Sequence, residues 1–219
     1  MAVICPTITA TTVEQYRQQI ELITPFAHRI HIDLADGVFA PNKLIDLMQV
    51  WWPVGVTADI HLMYESVLPY IDQLTDHKPH MVIVHAESVG SYYEIAKKLK
   101  EKDIKVGVAL LPETPVEKIV SAIDDIDHVL IFSGDLGYFG GVAKMTLLQK
   151  ARTLKKLKPT LEIGWDGGVS VSNVKKLVLG GVDVLNAGGA IHNAKNPEKA
   201  YNRLNIAITE ISTTGVNDV

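Results

Sequence analysis

Residues 30–42 read IHIDLADGVFAPN. His31 and Asp33 are two apart, so on a strand they project from one face. An imidazole beside a carboxylate at a strand's end can bind a metal or move a proton. It can equally hold the turn that Asp36-Gly37 and Pro41-Asn42 announce. The same residue types recur in Asp59-Ile60-His61-Leu62-Met63, in His85-Ala86-Glu87 and in Asp166-Gly167-Gly168. Glycine pairs stand at Gly140-Gly141, Gly167-Gly168 and Gly188-Gly189. Such pairs let backbone N–H groups approach an anion closely, or simply make tight turns.

The elements that would carry these residues alternate along the chain. Short β-type runs fall at 2–5, 29–33, 56–61, 81–85, 105–110, 128–132, 161–166 and 183–186. Several are continuously apolar, as expected of strands buried on both faces. Helical segments lie between them. Thr11 and Glu14 predict a capping box ahead of 13–23. Thr114, Pro115 and Glu117 predict another start, followed by Val116, Ile119, Val120 and Ile123 at helical spacing. Ser170 is the expected cap of a further helix that Gly180-Gly181 stops. The charge run 97–103 reads as the solvated end of a helix. Eight strands alternating with helices, without a break in composition, predict one (β/α)8 TIM barrel over residues 1–211 and a polar tail over 212–219. An open doubly wound sheet would want a glycine-rich turn after the first strand, where the chain has Pro6-Thr7-Ile8-Thr9.

A parallel barrel sends all its strand ends to one rim. There His31, Asp33, His61, His85 and Asp166 would converge from distant stretches. Burying such groups without a partner costs several kcal/mol each, and one divalent cation removes that cost. A mixed imidazole–carboxylate shell suits Zn, Fe, Mn or Co better than Mg or Ca. Barrels often bind phosphate at the loops after strands seven and eight, where two of the glycine pairs fall. No Lys or Arg is evident there, so backbone donors and a helix N-terminus are the expected holders.

Composition narrows the partners. The chain has 219 residues, 47% of them hydrophobic, and a net charge of −4. That balance argues against nucleic acid, and no run is long enough to span a membrane. The single Cys5 permits no internal disulfide. With no signal peptide evident at the N-terminus, a cytoplasmic protein is expected. Trp51, Trp52 and Phe39 could form a contact surface of a homo-oligomer, or could be core.

Five segments together resemble the ribulose-phosphate 3-epimerases. They are Pro6-Thr7-Ile8; His31-Ile-Asp33-Leu-Ala-Asp36-Gly37 through Pro41-Asn42; Asp59-Ile-His61-Leu-Met63; Lys105-Val-Gly107 with Pro112-Glu-Thr-Pro115; and Asp166-Gly-Gly168 with Gly188-Gly-Ala-Ile191. The resemblance implies a TIM barrel, one divalent metal and a sugar-phosphate substrate, interconverted between D-ribulose 5-phosphate and D-xylulose 5-phosphate. Carried over by position, His31, Asp33, His61 and Asp166 would be metal ligands, and Asp33 and Asp166 the acid/base pair. Thr7, His61, Met63 and the three glycine pairs would contact substrate. Apart from the resemblance, the position of His85 and Glu87 at the end of strand four fits groups that support the site from behind or are purely structural, with direct contact to substrate as the alternative.

Three positions depart from the family pattern. Ala35 stands where a Met is usual. Residues 136–142 lack the usual Pro, and Val142 replaces a Gln. Gly189 replaces a Ser that helps hold phosphate. Room beside Ala35 could admit a longer sugar such as D-allulose 6-phosphate. A hexulose-phosphate synthase or a non-catalytic sugar-phosphate binder are the remaining readings on the same barrel.

Overall fold

The computed structural model describes residues 2–138 and 140–214, with side chains up to Glu210. Among the described residues, eight parallel strands close into a barrel in sequence order. They are β1 (Val3–Thr9), β2 (Arg29–Ala35), β3 (Thr57–Met63), β4 (Met81–His85), β5 (Lys105–Leu110), β6 (His128–Phe132), β7 (Glu162–Asp166) and β8 (Val184–Ala187). The α-helices are α1 (Val13–Ile23), α2 (Ile71–Asp76), α3 (Tyr92–Lys100), α4 (Leu148–Leu157), α5 (Val174–Leu179), α6 (Gly189–His192) and α7 (Pro197–Thr214). The expected barrel is therefore present. Residues 215–219 of the polar tail lie outside the described residues, and 212–214 continue α7.

Alternation along each strand sorts the core into two parts. Outward-facing Ile30, Ile32, Leu34, Ile60, Leu62, Val82, Val84, Val129, Ile131 and Leu185 pack under the helices in the main apolar cluster. Truncating one of these, for example Ile60→Ala, costs about 2–5 kcal/mol. Inside the barrel, Met81, Ile83, Ala109 and Leu130 make a small apolar plug. Glycines make room for that plug. A Cβ at Gly107 would lie 2.7 Å from Ile83, and one at Gly164 would lie 2.4 Å from His128 Nε2.

A charged layer closes the barrel at its N-terminal end. Arg29 Nε donates to Asp59 at 2.7 Å, and its two terminal nitrogens donate to Glu162 at 3.0 and 2.9 Å. His80 and His128 complete the layer on Asp59 and Glu162, at 2.7 and 2.8 Å. Asp59 thus belongs to this end and not to the rim with His61. Two residues earlier on a rising strand is one layer lower.

Several local expectations are corrected. β1 runs through Pro6 to Thr9 instead of ending at Cys5. Pro6 is the last residue in register with β8 and Thr7 the first in register with β2, so the missing N–H falls where the strand changes partner. The cap of α1 is Thr12, whose side chain accepts from Gln15 N–H, and not Thr11, whose hydroxyl donates to the Gln15 side chain. Residues Val116–Asp125 form a 3₁₀ helix with Pro115 as its cap residue, and Thr114 donates its hydroxyl to Glu87 instead of capping. The residue capping α5 is Asn173 rather than Ser170; Gly180-Gly181 do end that helix. The charge run lies on the solvated end of α3 and beyond it.

Trp51, Trp52 and Phe39 do not share one surface. Trp51 meets Tyr16 edge-on with ring centroids 6.2 Å apart, and Trp52 packs against the main core. Phe39 joins Ala35, Ala40, Leu44, Met63 and Leu136 in a separate cluster, its ring 4.5 Å from that of His85.

Candidate active site

The register of β1, β2 and β3 brings the first site residues side by side. Thr7 lies opposite His31, Thr9 opposite Asp33, and Asp33 opposite His61. On the far side, Asp166 is flanked by Phe132 of β6 and Asn186 of β8. All these side chains point into the barrel mouth. The turn after β2 is fixed by Asp36, whose carboxylate accepts the N–H groups of Val38, Phe39 and Glu65 at 2.7–2.8 Å. Gly37 follows with φ +78°, a value that favours glycine.

His31, Asp33, His61 and Asp166 each offer one donor atom, all within 4.8 Å of one another. Asp33 Oδ1 lies 3.2 Å from His31 Nε2 and 2.9 Å from His61 Nδ1, and Asp166 Oδ2 lies 3.6 Å from His31 Nε2. His31 Nε2 is buried without a hydrogen-bond partner among the described residues. Two nitrogens and two carboxylates converging on one point, one nitrogen otherwise orphaned, fit a divalent cation with mixed ligand preference.

Electrostatics separate the two aspartates. Burial raises the proton affinity of Asp33, but the His31 and His61 imidazoles beside it more than offset that, and Asp33 falls well below the usual carboxylate range. Asp166 goes the other way, because burial and the Asp33 charge beside it both raise it. Burial lowers His61 to about 4, and it also lowers His85. For His31, burial acts downward but the flanking carboxylates prevail and raise it.

Above this cluster lies a cavity of about 270 Å³. Thr7, Asp33, Met63, Gly140, Gly141, Asp166, Gly167, Gly168, Gly188 and Gly189 line it. No Lys or Arg lines it among the described residues. His61 does not line it. The ring is fully buried beneath, so its place is with the ligand cluster alone.

Residue spacing alone did not single out Thr9, Asn186 or Asn193. Thr9 donates its hydroxyl to Asp33 Oδ2 at 2.7 Å. Asn186 puts its amide nitrogen 3.2 Å from His31 Nδ1. Asn193 lines the cavity beside Gly189 and Ala190. Signals were present: Thr9 shares a strand face with Thr7, and Asn186 interrupts an apolar strand.

The chain matches the model of the ribulose-phosphate 3 epimerase family over residues 3–192. It is 32% identical over 197 residues to a ribulose-phosphate 3-epimerase of Schizosaccharomyces pombe, covering 84% of each chain. It is also 32% identical over 183 residues to that of Bacillus subtilis, covering 80% of this chain and 84% of the relative. The chain belongs to the ribulose-phosphate 3-epimerase family. It is an isomerase of the epimerase type on a TIM barrel, and no described helix is long and apolar enough to cross a membrane. Solved structures show the same fold at lower identity. A 3-hexulose-6-phosphate synthase of Salmonella typhimurium aligns with TM-score 0.71 at 14% identity, over 96% of this chain and 99% of that one. KGPDC of Streptococcus mutans aligns with TM-score 0.73 at 14% identity, over 96% of this chain and 98% of that one.

The departures from the family pattern acquire physical meaning in this setting. Ala35 is buried and does not line the cavity. Phe39 and Leu136 pack against its cluster, so the space beside the small side chain is filled. Gly189 does face the cavity, and a Cβ there would sit 3.4 Å from Gly140, which is ordinary contact. Tyr138, in the altered loop after β6, donates its hydroxyl to Asn42 at 3.2 Å and ties that loop to the turn after β2.

Proposed function

We propose that the enzyme interconverts D-ribulose 5-phosphate and D-xylulose 5-phosphate by moving the C3 proton between Asp33 and Asp166. The observation that carries this reading is that both carboxylates line one cavity, from strands β2 and β7 with β1 and β8 between them, and have opposed proton affinities. Inverting a carbon needs a base on one face and an acid on the other. Asp33 would act as the base and Asp166 as the acid in one direction, and the reverse reaction exchanges their roles.

His31, Asp33, His61 and Asp166 would hold the divalent metal, of the Zn, Fe, Mn or Co group. A cation there supplies positive charge against the negative charge that develops on the substrate oxygens when the proton leaves. Thr9 keeps Asp33 oriented through its 2.7 Å hydrogen bond. Thr7, whose hydroxyl has no partner among the described residues, is free to bond a substrate hydroxyl or carbonyl. Met63 supplies an apolar wall.

The phosphate would lie on backbone N–H groups of the loops at Gly140-Gly141, Gly167-Gly168 and Gly188-Gly189. Gly140, Gly141, Gly167 and Gly168 all have φ between +69° and +105°, a backbone that turns amides toward a concave surface. The decisive experiment is metal analysis followed by incubation with D-ribulose 5-phosphate in heavy water. D-xylulose 5-phosphate carrying deuterium at C3 is the expected product. Absence of any epimer from metal-replete protein would overturn the assignment.

A further inference from the structure

We infer that Gln19 of α1 is a positioning residue that clamps the backbone of Thr9, so that the Thr9 hydroxyl holds the Asp33 carboxylate in its working orientation. This rests on the reading of Asp33 as ligand and base, and extends it outward from the cavity. Gln19 Oε1 accepts the Thr9 N–H at 3.0 Å, and Gln19 Nε2 donates to the Thr9 carbonyl at 2.9 Å. Thr9 Oγ1 in turn donates to Asp33 Oδ2 at 2.7 Å. The orientation of the Gln19 amide follows without choice, because the N–H needs an acceptor and the carbonyl a donor. No imidazole takes part in this line.

The need for a clamp comes from strands of unequal reach. β1 pairs with β8 from Val3 to Pro6, and with β2 from Thr7 to Thr9. Past Pro6 the β8 side of β1 has no strand in register with it. Alternate residues of a strand turn their backbone groups to the same edge, so Thr7 and Thr9 face that gap together. Side chains fill it. His192 donates its Nε2–H to the Thr7 carbonyl at 2.8 Å, and Gln19 takes both backbone groups of Thr9, as a residue of a further strand would. Water would satisfy the same two groups without fixing them. Gln19 instead belongs to a helix anchored by buried Tyr16, Ile20 and Ile23.

The clamp reaches the chemistry through Thr9. Asp33 Oδ1 faces His31 Nε2 and His61 Nδ1 at 3.2 and 2.9 Å, while Oδ2 takes the Thr9 hydroxyl. Thr9 therefore sets the turn of the carboxylate about its own axis. A threonine is stiff at its first side-chain torsion, so its hydroxyl goes where its backbone is held. Misplacing a reacting group by about 1 Å costs on the order of a hundredfold in rate. Gln19 does not line the cavity, so substrate contact is not its route.

Gln19→Leu removes both bonds and keeps the bulk. Its kcat with D-ribulose 5-phosphate is expected to fall about tenfold, with KM little changed. Thr9→Val removes the hydroxyl at nearly equal volume. If Gln19 acts through Thr9, the double variant is no slower than Thr9→Val alone, whereas independent structural effects would multiply. Crystal structures of the parent and of Gln19→Leu give a readout apart from turnover. In the variant, Thr9 Oγ1 is expected beyond hydrogen-bond reach of Asp33 Oδ2, or divided between rotamers. Gln19→Glu keeps the acceptor for the N–H but sets an oxygen against the Thr9 carbonyl, and replaces the leucine variant if that one does not fold.

Multiplying effects in the double variant overturn the inference, as does a raised KM with unchanged kcat. A variant structure in which Thr9 keeps one conformer bonded to Asp33 overturns it too. If the parent epimerises no sugar phosphate, the functional reading falls, and the paired structures still decide whether Gln19 holds Thr9 on Asp33.

Discussion

The Asn186 amide nitrogen lies 3.2 Å from Nδ1 of His31, on the edge of the ring opposite the nitrogen that meets Asp33 and Asp166. The amide oxygen of Asn186 is buried without a partner among the described residues. A half-turn of the amide places that oxygen against His31 Nδ1–H. That orientation suits an imidazole whose Nε2 lone pair is given to a metal, and equally an imidazolium between two carboxylates. Asn186→Leu removes this acceptor and is expected to weaken Zn²⁺ binding about tenfold, with Asn186→Asp retaining it. Chelator competition on both variants measures the difference, and unchanged affinity in the leucine variant would refute the role.

Acid stability should depend on the opposite end of the barrel. Burial raises the proton affinity of Glu162, but the hydrogen bonds from His128 and Arg29 outweigh it, so the carboxyl sits far below its ordinary 4.5. A depressed carboxylate adds stability above the unfolded value and loses it as pH falls. Glu162→Gln is therefore expected to lower stability at pH 7 by about 1–3 kcal/mol. It should also flatten the fall of Tm below about pH 4.5. Thermal melts from pH 7 to pH 3 check this; parallel curves for parent and variant would contradict it.

Two cavity glycines should respond differently to added side chains. A Cβ at Gly168 would lie 2.2 Å from the Ala143 nitrogen at φ +69°, so Gly168→Ala should destabilise the fold itself, by about 1–3 kcal/mol or more. Gly189 has room. Gly189→Ser should fold normally and lower KM for the sugar phosphate severalfold by adding a hydroxyl donor. Gly189→Val should raise KM about tenfold with kcat little changed. If neither variant moves KM, the phosphate does not lie against α6.

The two-base assignment makes the sharpest demand. Starting from D-ribulose 5-phosphate in heavy water, product should contain C3 deuterium from the earliest times, because the returning proton comes from a different, solvent-exchanged carboxyl. Asp33→Asn and Asp166→Asn should each lower net epimerisation at least a thousandfold, on the order of 4 kcal/mol in the barrier. Each can still exchange the C3 proton of the one epimer whose base survives, provided metal content is retained and measured. Near-parental epimerisation by metal-replete Asp166→Asn would show that the second base lies elsewhere.

The barrel and its rim chemistry were legible because they rest on local patterns. Several strand runs buried on both faces are continuously apolar, and with the interrupted ones between them the eight stand out against the polar helix faces. His31, Asp33, His61 and Asp166 each interrupt or end such a run, where an ionisable side chain is conspicuous. Their convergence follows from a parallel barrel, which gathers strand ends at one rim whatever their separation in sequence.

Tertiary structure decided what depends on register and partner choice. Asp59 and His61 share a strand face, yet the register of β2 and β3 places one in the basal charge layer and the other under the cavity. Thr114 has the sequence of a helix cap, but the half-buried carboxylate of Glu87 from the neighbouring strand end is the stronger acceptor for its hydroxyl. Ala35 marks a lost side chain in the sequence; only the packing of Phe39 and Leu136 shows that the space is filled. His85 and Glu87 stand out in the sequence only as residue types, and Asn186 carries no motif of its own. What they do is set by atoms from other strands within hydrogen-bond reach, and such distances are made only when the barrel closes.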